Sequence, residues 1–103
     1  MQNDTAALAL SALGHEARLS VFRLLVRAGH DGLKVGELGT LLDLPASTLA
    51  HHLTALVKAG LVQQERRGRE VVNRADYDRM TGLLAFLTDE CCCGVCLTAE
   101  QAA

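Results

Sequence analysis

The four cysteines of this 103-residue chain, Cys91, Cys92, Cys93 and Cys96, all fall within the stretch DECCCGVCL near its C-terminal end. Successive residues on a helix turn by about 100°, so three consecutive thiols share no helix face, and burial as core accounts for at most one or two of them. A disulfide inside so short a segment constrains little chain, and a reducing compartment disfavours it. Thiolates are soft ligands, and a soft, thiophilic ion is the chemistry this spacing suits best. Trivalent arsenic (arsenite) and antimony take three sulfurs in a pyramid. Cys91 and Cys92 on a last helical turn, with a reversal at Gly94 returning Cys96, supply such a trio; Cys93 is then spare, and Cys92, Cys93 and Cys96 form an alternative trio. Zinc or cadmium bound by all four sulfurs is a second reading, ranked lower because a tetrahedron closed from three adjacent residues strains the backbone unless two subunits share the ion. A thiol-redox switch, through a disulfide or persulfide, is a third. Asp89, Glu90 and a helix C-terminus all disfavour thiolate, so ion binding has to expel protons and weakens as pH drops.

A second set of residues suits an anionic partner. Residues 46–75 hold five basic and two acidic side chains and residues 76–103 one and five, so the middle carries +3 and the tail −4 within a chain of net charge −2. Such unevenness points to a local basic surface. Arg66, Arg67 and Arg69 crowd one turn, where neighbouring acids cannot absorb all three guanidinium groups, and Arg suits phosphate and narrow-groove contacts. Just before them, Ser47, Thr48, His51, Thr54 and Lys58 form the polar side of a helix. Short polar side chains near its N-terminus allow close approach to base edges, and the helix dipole there favours phosphate. His51 reads as a surface histidine and His52 as a partly packed one; adjacent helical residues diverge too far to be a metal pair.

The elements that position these residues follow from periodicity and glycine punctuation. Asp4 is expected to cap a first helix that runs to about Leu13 and stops at Gly14. Between His15 and about Ala28, Phe22, Leu25, Val26 and Gly29 recur at i, i+3, i+4 and i+7, one face of an amphipathic helix. Val35, Leu38 and Leu42 mark a short third helix, ended near Asp43, and Pro45 fits the start of the fourth. That fourth helix, about 46–59, sets Leu49, Leu53, Leu56 and Val57 on its apolar side. The helical period fails in LVQQERRGREVVNRA, which reads as two strands turning around Arg67 and Gly68. Asp76 then caps a last helix with Met80, Leu83, Leu84 and Leu87 at i, i+3, i+4 and i+7. The fold class is mainly α with a small β-hairpin wing, in the order α-α-α-α-β-β-α: a winged helix-turn-helix. With half its residues apolar, the chain reads as one domain, 1–103. No apolar stretch approaches the roughly 20 residues that cross a bilayer, and a cytoplasmic location is expected.

LLDLPASTLAHHLTALVKAGLV (41–62), preceded by ALGHEARLSVFRLL (12–25) and followed by RRGREVVNR (66–74), resembles the ArsR/SmtB family of metal-sensing bacterial repressors. The resemblance covers nearly the whole chain. It implies a homodimer built through the first and last helices, a role that suits Leu8, Leu13, Met80, Leu83, Leu84 and Leu87. It implies double-stranded operator DNA, an inverted repeat, as partner, with Ser47, Thr48 and His51 facing DNA and Lys58 and the wing arginines on its backbone. Ala46 and Ala50 stand where many relatives have polar residues, which bears on the operator sequence. Relatives that sense arsenic on the third helix carry a C-x-C motif there, whereas the matching KVGELGTLL has no thiol. Relatives that sense zinc on the last helix use Asp, His and Glu, and this last helix has no His. Some arsenic-responsive members are similar in another way, with a vicinal cysteine pair at the end of the last helix and a third cysteine soon after. The expected function is a repressor that releases its operator when trivalent arsenic or antimony binds the C-terminal thiols. An enzyme is not expected, because no strand-loop-helix cradle for an oxyanion and no basic group adjoin the thiols.

Overall fold

The computed structural model describes residues 1–97; residues 98–103 of the expected domain lie outside the described residues. In chain order come α1 (Asn3–Leu13), α2 (Glu16–Ala28), a 3-10 turn (Gly29–Asp31), β1 (Leu33–Lys34), α3 (Val35–Leu42), α4 (Ala46–Lys58), β2 (Val62–Arg67), β3 (Glu70–Ala75) and α5 (Tyr77–Thr88). The five helices and the hairpin agree with the sequence reading. The sheet does not stop at two strands: β1 pairs with β3, Leu33 opposite Asn73, to give an antiparallel order β1-β3-β2. The central strand is held from the side as well. Asn73, fully buried, donates through Nδ2 to the Leu33 carbonyl at 3.2 Å and accepts from Gln64 Nε2 at 2.8 Å. A buried amide with its bonds made costs little, whereas an unpaired one is expensive.

Local chemistry sets the helix ends. Gln2, not Asp4, stands at the cap position of α1, and Asp4 sits in the first turn, its carboxylate accepting the Thr5 backbone N–H at 2.8 Å. Asp43 turns left-handed (φ 52°) to end α3, and Pro45 (φ −60°, ψ 149°) enters α4 as its N-cap, so three residues make the turn between the two helices. Asp76 caps α5, its Oδ1 accepting the Arg79 backbone N–H at 2.9 Å. The Tyr77 hydroxyl then donates to the Leu25 and Val26 carbonyls at 3.4 and 3.2 Å, fastening the start of α5 to the end of α2.

The core runs between α2, α3, α4 and the root of the wing. Leu25, Leu38, Leu49, Leu53, Leu56 and Leu61 are its fully buried large side chains. Truncating any of them to Ala should cost about 2–5 kcal/mol. In α1 the usual arrangement is inverted: Ala6, Ala9 and Ala12 face inward, while Leu8 and Leu10 face solvent. Small residues let α1 lie close against the rest of the fold, while Leu8 and Leu10 stay exposed.

Candidate nucleic-acid interface and thiol cluster

On α4, Leu49, Leu53 and Leu56 point into the core, which turns Ser47, Thr48, His51, Thr54 and Lys58 outward; all five are exposed. Thr54 spends its hydroxyl proton on the Ala50 carbonyl at 2.9 Å, so Ser47, Thr48 and His51 are the unengaged polar groups on the first turns. His52 is not partly packed but buried, at 5% exposure. Burial, then the nearby Arg18, His15 and His51, push its pKa below the ordinary imidazole value.

The hairpin carries the arginines beyond the end of α4. Its ladder runs from Val62 opposite Ala75 to Arg67 opposite Glu70, leaving Gly68 (φ 63°) and Arg69 as the tip. Glu65 and Arg67 share a strand face, and Arg67 Nε and Nη2 each donate to the Glu65 carboxylate at 3.3 Å. Arg74 reaches the same carboxylate diagonally across the ladder at 2.9 Å. The hydrogen bonds from Arg67 and Arg74 hold the Glu65 carboxyl below the usual carboxylate range. Lys34 pairs with Glu70 at 2.7 Å, tying β1 and the start of α3 to the base of the tip. Arg66 and Arg69 have no ion pair among the described residues. Of the three wing guanidinium groups, one is engaged within the protein and two are available.

The thiols lie beyond α5 rather than on it. The sequence reading set Cys91 and Cys92 on a last helical turn, but the helix stops at Thr88 and Asp89 leaves it with ψ 135°. Acidic Asp89 and Glu90 meet the negative end of the helix dipole there, which disfavours continuation. Two successive turns follow, closed by Cys91 N–H to the Thr88 carbonyl (3.0 Å) and Cys93 N–H to the Glu90 carbonyl (3.1 Å), with Glu90 and Cys92 left-handed. Adjacent residues on opposite sides of that conformational change bring Cys91 Sγ and Cys92 Sγ to 3.3 Å. Cys93 Sγ sits 3.9 Å from the Cys91 carbonyl. Gly94 reverses the chain (φ 86°), and all four thiols are exposed. Among the described residues no three cysteine, histidine or carboxylate groups are gathered around one point, so neither expected trio, Cys91, Cys92 and Cys96 or Cys92, Cys93 and Cys96, is assembled.

The six side chains expected at a dimer contact divide. Leu8, Leu84 and Leu87 are 53%, 58% and 53% exposed, whereas Leu13 and Met80 lean on the protomer's core. Leu83, at 3% exposure, belongs to that core and is withdrawn from any outer contact. Sequence reasoning also passed over Glu65, although its i, i+2 spacing from Arg67 on a strand was a readable signal. It passed over the grouping of His15, Arg18 and His52 too, which depends on how α2 crosses α4 and leaves no local pattern.

Residues 13–65 match the family described as helix-turn-helix domain. The "Putative arsenical resistance operon repressor ArsR" of Halobacterium salinarum is 42% identical over 60 residues, which is 58% of this chain; the chain spans only 46% of that relative's length. Among solved structures, the ArsR-like transcriptional regulator from Rhodococcus sp. RHA1 superposes with a TM-score of 0.72 at 28% identity, over 82% of this chain and 76% of that one. The homodimeric winged helix-turn-helix DNA-binding domain of Mb0332 from Mycobacterium bovis gives 0.67 at 27% identity, over 86% and 82%. No helix among the described residues is long and apolar enough to cross a membrane. With its helix-turn-helix, its wing and these relatives, the chain belongs to the ArsR/SmtB family of winged helix-turn-helix transcriptional regulators, proteins that act on DNA and are not enzymes.

Proposed function

We propose that this chain is a single-domain, homodimeric cytoplasmic repressor that holds an inverted-repeat operator and releases it when trivalent arsenic, or antimony, binds its C-terminal thiols. The observation that carries the inducer is the pair Cys91 and Cys92, exposed, with sulfurs 3.3 Å apart, close enough to grip one thiophilic ion. Cys93 and Cys96 are the sources of a third sulfur, since both are exposed and lie within a few residues of the pair. Each thiol surrenders a proton on binding. The arsenical-resistance relative supports the inducer, and α3, VGELGTLL, holds no thiol to bind it there instead.

For DNA, Ser47, Thr48 and His51 enter the major groove at the exposed start of α4, and Lys58, Arg66, Arg67 and Arg69 meet phosphates. The Mb0332 homodimer and the outward leucines of α1 and α5 support a two-fold assembly, which must set two α4 helices about 34 Å apart. Cys91 lies three residues beyond the end of α5, whose last turn carries Leu87, so drawing the thiols together pulls on the segment that carries the dimer face. A coupling of about 1–3 kcal/mol suffices for release.

Arsenite titrated into reduced protein on its own upstream DNA, followed by fluorescence anisotropy, tests this. Release is expected for the parent and for one single Cys→Ser variant, and none for the other three, with DNA affinity itself unchanged in all four. Release by zinc but not arsenite would replace the pyramid with a tetrahedral thiolate site. Release only on oxidation would make the thiols a redox switch.

A further inference from the structure

The exposed face of α4 accounts for its polar residues, but its buried face contains one that packing does not explain. His52 Nδ1 is shut off from solvent with no hydrogen-bond partner among the described residues, and so is Arg18 Nε on the first turn of α2. Buried donors and acceptors are nearly always paired, so two orphans at one helix crossing point to a missing partner. His15, the N-cap of α2, stands with its ring 5.0 Å from that of His52 and makes no side-chain cap bond. The first amides of α2 therefore remain available, as uncapped helix starts leave them. Every charged or ionisable group that bears on His52 is basic: Arg18, His15 and His51. Glu16, exposed on the same turn of α2, is not among the groups that act on His52.

A basic cluster of this kind at an uncapped helix start, with Glu16 the one acid on that turn, takes an anion. Its location says which. The His51 ring, on the exposed face with Ser47 and Thr48, is 6.0 Å from that of His52, which is 5.0 Å from that of His15. The three rings form a continuous path from the groove-facing side of α4 to the start of α2. The major groove is about 12 Å wide, so a surface that lies two ring-steps to the side of a base-reading residue meets the groove's wall of phosphates.

We infer that His15 and Arg18 bind a phosphate of the operator backbone, which makes the start of α2 a third DNA contact beside α4 and the wing. The inference rests on the reading of α4 as the helix that enters the groove. His52 is a positioning residue: it packs behind His15 and fixes the crossing of α2 over α4. The contact carries no sequence information, as phosphate contacts do not, but it sets the register in which Ser47 and Thr48 meet the bases.

The test is the salt dependence of binding to a labelled duplex of arbitrary sequence, at about pH 6. The full chain, His15→Gln and Arg18→Gln are compared. Each variant should lower the slope of log K against log salt by about 1, so that between about 50 and 200 mM salt it loses about fourfold less affinity than the parent. Arg18 is half-buried and its replacement can unsettle α2, so the exposed His15 decides the matter. An unchanged slope for a folded His15→Gln protein, beside a salt-dependent parent, overturns the contact and leaves the reading of α4 standing. A parent whose DNA binding does not respond to salt overturns both.

Discussion

His52 shows how one buried side chain links α4 to pH. Burial first, and then Arg18, His15 and His51, lower its pKa, so the folded chain holds it neutral while the unfolded chain protonates it near the ordinary value of about 6.5. Below that value the unfolded state binds more protons, and stability is lost as pH falls from about 6.5 towards the depressed folded value. Urea unfolding at about pH 7.5 and 5.5 should therefore show a drop for the parent that is smaller in His52→Gln. The substitution itself is expected to cost of the order of 1 kcal/mol at the higher pH, and only the difference between the two pH values bears on the argument. Equal drops in both proteins would mean that another group drives the acid response.

Among the elements, the wing divides its charge between structure and partner. Glu65 holds Arg67 and Arg74, Lys34 holds Glu70, and Arg66 and Arg69 are left without an ion pair among the described residues. Exposed pairs of this kind add little stability, so their main effect is to decide which guanidinium groups face outward freely. Replacing Arg66 and Arg69 together with Ala should lower the salt slope of DNA binding by about 2, and Arg67→Ala by less than 1, because its charge is already shared with Glu65. A larger effect for Arg67 than for the pair would reverse that assignment. The hairpin and α4 were legible in the sequence because a failed helical period and the spacing of Leu49, Leu53 and Leu56 are local signals. β1 was not: two residues have no period, and only the ladder to Asn73, forty positions on, makes Leu33 and Lys34 a strand. The end of α5 was misjudged for the same reason in reverse, since the helical pattern ran on towards the cysteines while the backbone turned at Asp89 and Glu90. The vicinal thiol pair was nonetheless readable, because adjacency in sequence needs no fold to bring it about.

At the scale of the whole molecule, the proposed dimer rests on the apolar side chains that α1 and α5 leave exposed. α1 turns alanines inward and Leu8 and Leu10 outward, and α5 leaves Leu84 and Leu87 more than half exposed just before the turns that carry the thiols. Burying such side chains against a second copy stabilises by about 25 cal/mol per Å² of apolar surface, whereas a charge placed there must be desolvated. Leu84→Glu with Leu87→Glu should therefore give a folded monomer, visible by sedimentation equilibrium, with an unchanged helical spectrum because neither side chain belongs to the core. Its operator binding should fall towards the level of arbitrary DNA, a loss of about 10³-fold or more, since one half-site no longer fixes the position of the other. The thiols of the monomer should still take up arsenite, by displacement of a thiol reagent, but uptake should no longer change DNA affinity. A monomer that keeps its arsenite response would locate the coupling within one protomer, along α5 to Tyr77 and its bonds to the end of α2. A variant that remains dimeric would move the interface off α5 altogether.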